Sequence, residues 1–287
     1  DRVGLYYNPE NGKAYEDEPE RTVFFNRAVL EGIKRLDLYP DIIHCNDYHT
    51  GLIPAYIDLE ESEYDHFSGT GTIFSIHNIA YQGNYEEDFI ETAGLESSLF
   101  YPMSPFEYWG GVNVMKIGIM YAGIVTTVSE TYAEEIKESE KYGHGMEGIL
   151  RDDDLTVIGI LNGIDTDVWN PEKDPLIESN YSHRDLTGKD KNRSRLLDEY
   201  GLKSGPDTPV IGMVSRLVDQ KGFDILAESM EKIMKMDLTL LILGTGQGKY
   251  HRIYTKLQKK YPDKLGVRLE YDNRMAHLIE AGSDFFL

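Results

Sequence analysis

Two cations, Arg216 and Lys221, stand five positions apart in VIGMVSRLVDQKG (210–222), where an apolar run suited to a buried strand hands over to a helical segment starting at Phe223. In open α/β sheets the carboxyl ends of strands are where ligands bind. A planar guanidinium grips phosphate oxygens in pairs and an ammonium acts as a mobile point charge, so the two together suit a diphosphate. The same residues also fit as solvated cations beside a turn, because Lys and Arg are mostly exposed in any case. Other polar residues follow other strand-like runs: Asn46 and Asp47 after DIIHC, His77 and Asn78 after TIFSI, Asn162 after TVIGIL, and the glycine run 244–248 after LTLLIL. His77 keeps company with Asn78, Tyr81 and Gln82, whose amide and phenol groups suit sugar hydroxyls, while Gly83 supports a loop close to a ligand. A lone histidine at a strand end is more often structural. Gly244 and Gly246 lie between a strand and a helix, as a phosphate-cradling loop would, although a tight turn explains them equally. Asn113 and Lys116, three apart, share one helical face, with an N-cap and a surface lysine as the plainer reading.

These residues need a frame, and the periodicity supplies one. Helical spacing at 22–36 is followed by a strand at 41–45, a helix at 50–57 and a strand at 72–76. A helix is expected over 106–121, with Gly110 and Gly111 as a point of interruption. A β-branched strand at 123–128 leads to Ser129 as N-cap of a helix at 131–138, and a strand at 156–161 stops at an Asn-Gly turn signal. Residues 1–19 read as a long loop. After Trp169 a polar, proline-containing stretch separates this part from a helix at 190–200, the strand at 210, a helix at 223–236, a strand at 238–243, a helix to 261, a strand at 267–271 and a helix through 281. Alternation of strands and helices implies parallel sheets covered on both faces. The expected domains are 1–172 and 190–287 with 173–189 as linker, and the strand-end residues meet if both sheets turn their carboxyl edges to a common cleft.

Composition narrows the function. With 50 acidic against 29 basic side chains, the net charge of −21 disfavours nucleic acid and anionic lipid as partners. Apolar runs fall short of a membrane span and no signal peptide is recognisable at the N-terminus, so a cytoplasmic location is expected. The single Cys45 excludes an internal disulfide, and the set His44, Cys45, Asp47 and His49 matches no zinc spacing, so no metal is expected. The first residue is Asp1 and the last stretch, AGSDFFL, reads as an interrupted strand, so the chain is expected to be an internal fragment.

Taken in order, DIIHCNDYHTGLIPAY, SIHNIAYQG, TVSETYAEEI, GILNGID with WNP following, VSRLVDQKG and AGSDFFL resemble the bacterial glycogen synthase and plant starch synthase family of retaining glucosyltransferases, over nearly the whole chain. The resemblance implies an α/β fold of two Rossmann-like, doubly wound domains facing a cleft, the GT-B arrangement, both incomplete here. It implies transfer of glucose from ADP-glucose, or UDP-glucose, to the non-reducing 4-hydroxyl of an α-1,4-glucan, with neither cofactor nor metal. By resemblance Arg216 and Lys221 hold the donor diphosphate, His77 lies near the transferred glucose, Asp47 is the acidic residue of the H-x-H-D-W region, and Asn113 contacts a glucose hydroxyl. Around Asp47 the family's usual histidine and tryptophan are replaced by Asn46 and Tyr48. The family's lysine-glycine-glycine loop is expected before Asp1 and its E-P-C-G-L segment after Leu287, which makes the 287-residue chain alone inactive. Two alternatives stay open: another GT-B nucleotide-sugar transferase or an epimerase, and a non-catalytic glucan-binding relative.

Overall fold

In the computed structural model, which describes residues 15–59 and 65–287, the alternating stretch Ile42–Asn46 forms strand β1, with Ile43 and Cys45 turned into the core. It follows helix α1 (Glu18–Arg35), which begins inside the loop expected over 1–19; residues 1–14 of that loop lie outside the described residues. Helix α2 (Leu52–Leu59) comes next, and strand β2 (Gly71–Ile76), strand β6 (Ile124–Thr127) and strand β7 (Val157–Gly159) complete the first unit's main sheet together with β1. The order is β1-β2-β6-β7, parallel throughout. Asn46 lies opposite Ser75, so β1 and β2 end side by side. Helix α4 (Glu130–Glu138) starts where expected, with the Ser129 side chain accepting the Tyr132 amide at 2.9 Å.

Between β2 and β6 the chain departs from the expected helix at 106–121. Strands β3 (Asn84–Tyr85), β4 (Glu107–Tyr108) and β5 (Gly111–Asn113) form a small antiparallel sheet in the order β3-β5-β4, and helix α3 covers only Val114–Tyr121. Trp109 and Gly110 both take positive φ, 53° and 84°, so they close a tight hairpin where a helix would need right-handed backbone. Helix α3 packs on the main sheet through Gly118, whose absent Cβ leaves room for the Phe74 ring.

Compact units are Asp1–Gly163 and Ile164–Leu287. The segment expected as a linker is tied to the second unit: the Asn192 side chain holds the amides of Glu178 and Ser179, and His277 Nδ1 bonds Asp174 Oδ2 at 2.7 Å, with the imidazole stacked on Trp169 at 3.8 Å. Four parallel strands make this unit's sheet: β8 (Val210–Val214), β9 (Thr239–Leu243), β10 (Leu265–Arg268) and β11 (Phe285–Phe286). Their order, β10-β9-β8-β11, runs outward from β8 in one direction and then reverses to β11. That reversal is the topological switch point of a doubly wound sheet, where a crevice opens at the carboxyl ends. Strand β9 is buried along its whole length, as its unbroken TLLIL run requires. Helices α5 (Thr187–Tyr200), α6 (Phe223–Ile233), α7 (Gly248–Lys260) and α8 (Asn273–Gly282) connect and cover the strands. Among the described residues no helix is long and apolar enough to cross a membrane.

Candidate functional site

In the first unit the strand ends gather Asn46, Asp47, His77 and Asn78. Asp47 leaves β1 with φ 55° and ψ 179°, a backbone region that otherwise belongs to glycine, so the turn is held under strain. This turn aims Oδ1 at the end of β2, where it accepts the amides of His77 at 2.8 Å and Asn78 at 3.4 Å. The carboxylate therefore fixes the backbone that carries the imidazole. His77 is exposed, and its Nε2 donates to Asn46 Oδ1 at 2.9 Å, so the ring is oriented by the residue that replaces the family's histidine. Asn46 is itself held by Thr50, whose hydroxyl accepts the Asn46 amide at 2.6 Å. The four prospective metal ligands do not converge: His44 bonds Ser75 and Cys45 is fully buried, its thiol pushed up to about 12 by burial. Among the described residues no three His, Cys, Asp or Glu side chains group as a metal site.

The loop after His77 is braced from beneath. Asn78 Oδ1 accepts the Ala80 amide at 3.1 Å, closing a local turn, and the Tyr132 hydroxyl accepts the Ile79 amide. Gln82 is buried and donates to the carbonyls of Ile79 and His144, each at 3.0 Å. Asn113 has no exposed surface: its Nδ2 donates to Gln82 Oε1 at 2.8 Å and to Asn84 Oδ1 at 2.6 Å, while its Oδ1 caps helix α3 by accepting the Lys116 amide. Gln82 and Asn113 thus face each other inside the protein, and Tyr81 is exposed. Gly83, at φ 64°, lies against the Tyr48 ring, which a Cβ there would meet at 2.3 Å. Lys116, expected at the surface, is buried, with Nζ donating to the carbonyls of Ser104 and Glu107, and burial lowers its pKa. Neither the Gln82–Asn113 pairing nor the anchoring of Lys116 has a signal in local sequence, since each partner lies on a different element.

In the second unit Arg216 and Lys221 follow β8 at the switch point. Both are exposed, and among the described residues neither forms an ion pair. The acidic residue of the same loop, Asp219, is engaged elsewhere. Lys249 Nζ donates to its Oδ1 at 2.6 Å, and the Tyr250 hydroxyl bonds the same oxygen. The Lys249 bond holds the Asp219 carboxyl below its usual range and raises the lysine in turn. The nearest carboxylate in sequence is thereby kept from neutralising the two cations.

Gly244 and Gly246 lie against the Arg216 loop. Leu217 and Gly246 form a parallel bridge: the Leu217 amide donates to the Thr245 carbonyl at 2.9 Å and the Gln247 amide to the Leu217 carbonyl at 2.9 Å. A Cβ on Gly244 would stand 1.8 Å from the Ser215 carbonyl oxygen, and one on Gly246 would stand 2.4 Å from that of Leu217. The glycines let two strand-end loops touch, and so set where the Arg216 backbone lies. Within each unit, then, Asp47, His77 and Asn78 come together, Gln82 and Asn113 pair beneath their loop, and Arg216 and Lys221 share a turn backed by Gly244 and Gly246.

The family model described as the starch synthase catalytic domain matches residues 1–152. A glycogen synthase of Syntrophotalea carbinolica is 40% identical over 287 residues, covering 100% of this chain and 58% of that protein. Glycogen synthase 2 of Geobacter sulfurreducens is 44% identical over 285 residues, 99% of this chain and 58% of its own. Among solved structures, the catalytic domain of starch synthase IV from Arabidopsis thaliana bound to ADP and acarbose matches with a TM-score of 0.88 at 32% identity, over 97% of this chain and 57% of that one. The chain therefore spans about 58% of the length of these curated relatives.

Proposed function

Because the chain belongs to the starch synthase catalytic-domain family, we propose that the protein it forms part of transfers glucose from ADP-glucose to the non-reducing 4-hydroxyl of an α-1,4-glucan, with retention of configuration. The α/β fold with parallel sheets, expected from the sequence, is the fold found, and it matches that of the starch synthase catalytic domain. The observation that carries the reading is the pair of exposed cations at the β8 switch point, with Asp219 diverted to Lys249.

In the proposed reaction the bond from the anomeric carbon to the diphosphate oxygen breaks, and the acceptor's 4-oxygen bonds that carbon on the same face. The hydroxyl proton passes to the departing phosphate oxygen. Positive charge grows on the sugar and negative charge on the leaving diphosphate, so Arg216 and Lys221 stabilise the transition state more than the ground state. His77, its backbone held by Asp47 and its ring by Asn46, positions the transferred glucose together with Asn78 and Tyr81. Gln82 and Asn113 hold the loop from which those groups project. Neither a cofactor nor a metal enters this scheme. A cytoplasmic location is part of the same proposal.

The test has two parts. Calorimetric titration of the chain with ADP and with UDP should favour ADP, and R216A or K221A should weaken ADP binding at least tenfold. In the protein to which the chain belongs, either substitution should slow incorporation of labelled glucose into glycogen by roughly 100-fold, the scale of one lost transition-state donor. A loss of less than about fivefold in both measurements would refute the diphosphate role.

A further inference from the structure

The segment 101–111 holds two apolar side chains out in water by unusual means. Met103 is 91% exposed and Trp109 is 88% exposed. Both have left-handed backbone, φ 67° and 53°, which side chains of their size rarely adopt. A two-residue hairpin turn with positive φ at both centres usually takes Asn-Gly; here its first position is Trp109.

The surrounding polar groups keep both turns in place. Glu107 accepts the Gly110 amide on Oε1 at 2.9 Å and the Met103 amide on Oε2 at 3.2 Å, so one carboxylate joins the two turns. The Ser104 hydroxyl accepts the amides of Glu107 at 3.2 Å and Tyr101 at 3.4 Å. Beneath them the Lys116 ammonium donates to the Ser104 carbonyl at 2.7 Å and to the Glu107 carbonyl at 2.6 Å. The Tyr108 ring stands edge-on to the indole, with centroids 6.4 Å apart. Scattered exposed apolar residues are ordinary on any protein. Two strained ones fixed by a shared carboxylate and a common buried ammonium call for a ligand, since strain persists where the surroundings enforce it and gathers at binding sites.

We propose that Trp109, with Met103 on the turn that shares its Glu107 carboxylate, is a platform on which a pyranose ring of an α-glucan chain stacks, a binding site additional to the groups assigned to transfer. The proposal rests on the glucan reading above. The electron-rich face of an indole attracts the weakly positive C–H edges of a sugar ring as it does the edge of another aromatic ring. The size of the surface also selects the occupant. A Trp side chain offers roughly 150–250 Å², and with Met103 the patch stays well short of the roughly 1,000 Å² that a stable protein interface needs. The net charge of −21 disfavours a polyanion. A neutral sugar ring fits both limits.

The experiment uses the 287-residue chain and its W109A and W109F variants, each checked for native circular dichroism. Affinity electrophoresis in glycogen-containing gels, with maltoheptaose as competitor, should show W109A binding at least fivefold more weakly and W109F within about twofold of the parent. Maltoheptaose should also protect the parent's tryptophan fluorescence from acrylamide quenching, and W109A should lose that protection. Parent and W109A binding glycogen equally would overturn the proposal, as would a parent that glycogen does not retard. A parent that sediments as a dimer dissociated by W109A would overturn it in favour of contact between copies. Glucose incorporation from ADP-glucose is scored separately, in the protein to which the chain belongs: transfer with a Trp109-independent gel shift sinks the platform alone, while Trp109-dependent binding without transfer sinks the transfer reading alone.

Discussion

Replacing Gly244 by Ala probes how the Arg216 loop is positioned, because the new methyl group has nowhere to go. Its Cβ would lie 1.8 Å from the Ser215 carbonyl oxygen and 2.9 Å from Leu217 Cδ1, so the 215–217 backbone must retreat by more than about 1 Å to reach ordinary contact. Three bonds tie these loops: Ser215 amide to Leu243 carbonyl at 3.1 Å, Leu217 amide to Thr245 carbonyl at 2.9 Å, and Gln247 amide to Leu217 carbonyl at 2.9 Å. At about 1 kcal/mol each they represent about 3 kcal/mol. A side chain at φ 156° adds about 1–3 kcal/mol, because that backbone region belongs to glycine. The expected loss is about 4–6 kcal/mol, against a typical domain stability of about 5–15 kcal/mol. Urea unfolding read through Trp169, which belongs to the second unit, measures it, and calorimetry with ADP should show at least tenfold weaker binding as Arg216 shifts. Gly248→Ala is the control: its Cβ would meet nothing closer than Arg252 Nη1 at 3.5 Å, and stability should stay within about 0.5 kcal/mol. If G244A unfolds within about 1 kcal/mol of the parent and binds ADP as well, the steric argument fails.

Asp47→Ala removes the acceptor of the His77 and Asn78 amides and should destabilise the first unit by about 2–3 kcal/mol in chemical denaturation, whereas D47N, which keeps an oxygen acceptor, should recover at least half; equal losses would contradict the clamp. His277→Ala leaves Oδ2 of the buried Asp174 without its imidazole partner, while Oδ1 keeps the Leu176 amide, and removes the ring stacked on Trp169, which should cost the second unit about 1–3 kcal/mol; a loss below about 0.5 kcal/mol would refute that view. Burial raises the Cys45 thiol from 9.0 to about 12, so the unfolded chain ionises first: this contribution is complete below pH 9 and erodes as pH rises toward 12, by about 1.4 kcal/mol per unit. C45A should therefore lose less stability than the parent between pH 9 and 11, and parallel curves would disprove the assignment.

Elements whose signal is local were legible in the sequence. The Ser129 cap lies one residue from the helix it starts, and LLIL (240–243) announces a doubly covered strand by its four consecutive apolar residues. The hairpin at 107–113 was not legible, because Val112, Met115 and Ile119 continue a helical spacing back through it. Only the left-handed backbone of Trp109 and Gly110, held by the Glu107 carboxylate, turns the chain over. Candidate site residues divide the same way. Strand-end position revealed Asp47, His77 and Arg216, since the end of a buried strand is a local fact. Whether a polar side chain there faces solvent or another side chain is a fact about distant residues. Gln82 and Asn113 are 31 residues apart and satisfy each other, which converts two prospective sugar contacts into the support of a loop.

The same division bears on the charge of the protein. A chain with 50 acidic and 29 basic side chains would be expected to quench any exposed cation through its own carboxylates. Arg216 and Lys221 escape because the carboxylate that accompanies them, Asp219, is taken up by Lys249 and Tyr250 from a helix thirty residues further on. Exposed ion pairs contribute little to stability, so the Lys249–Asp219 contact is poorly explained as a stabilising device. It acts on the loop's electrostatics: pairing Asp219 elsewhere leaves a net positive turn at the switch point of an acidic protein. An anion approaching that turn meets two cations with no carboxylate of their own loop to displace, which is the condition that binding a diphosphate requires.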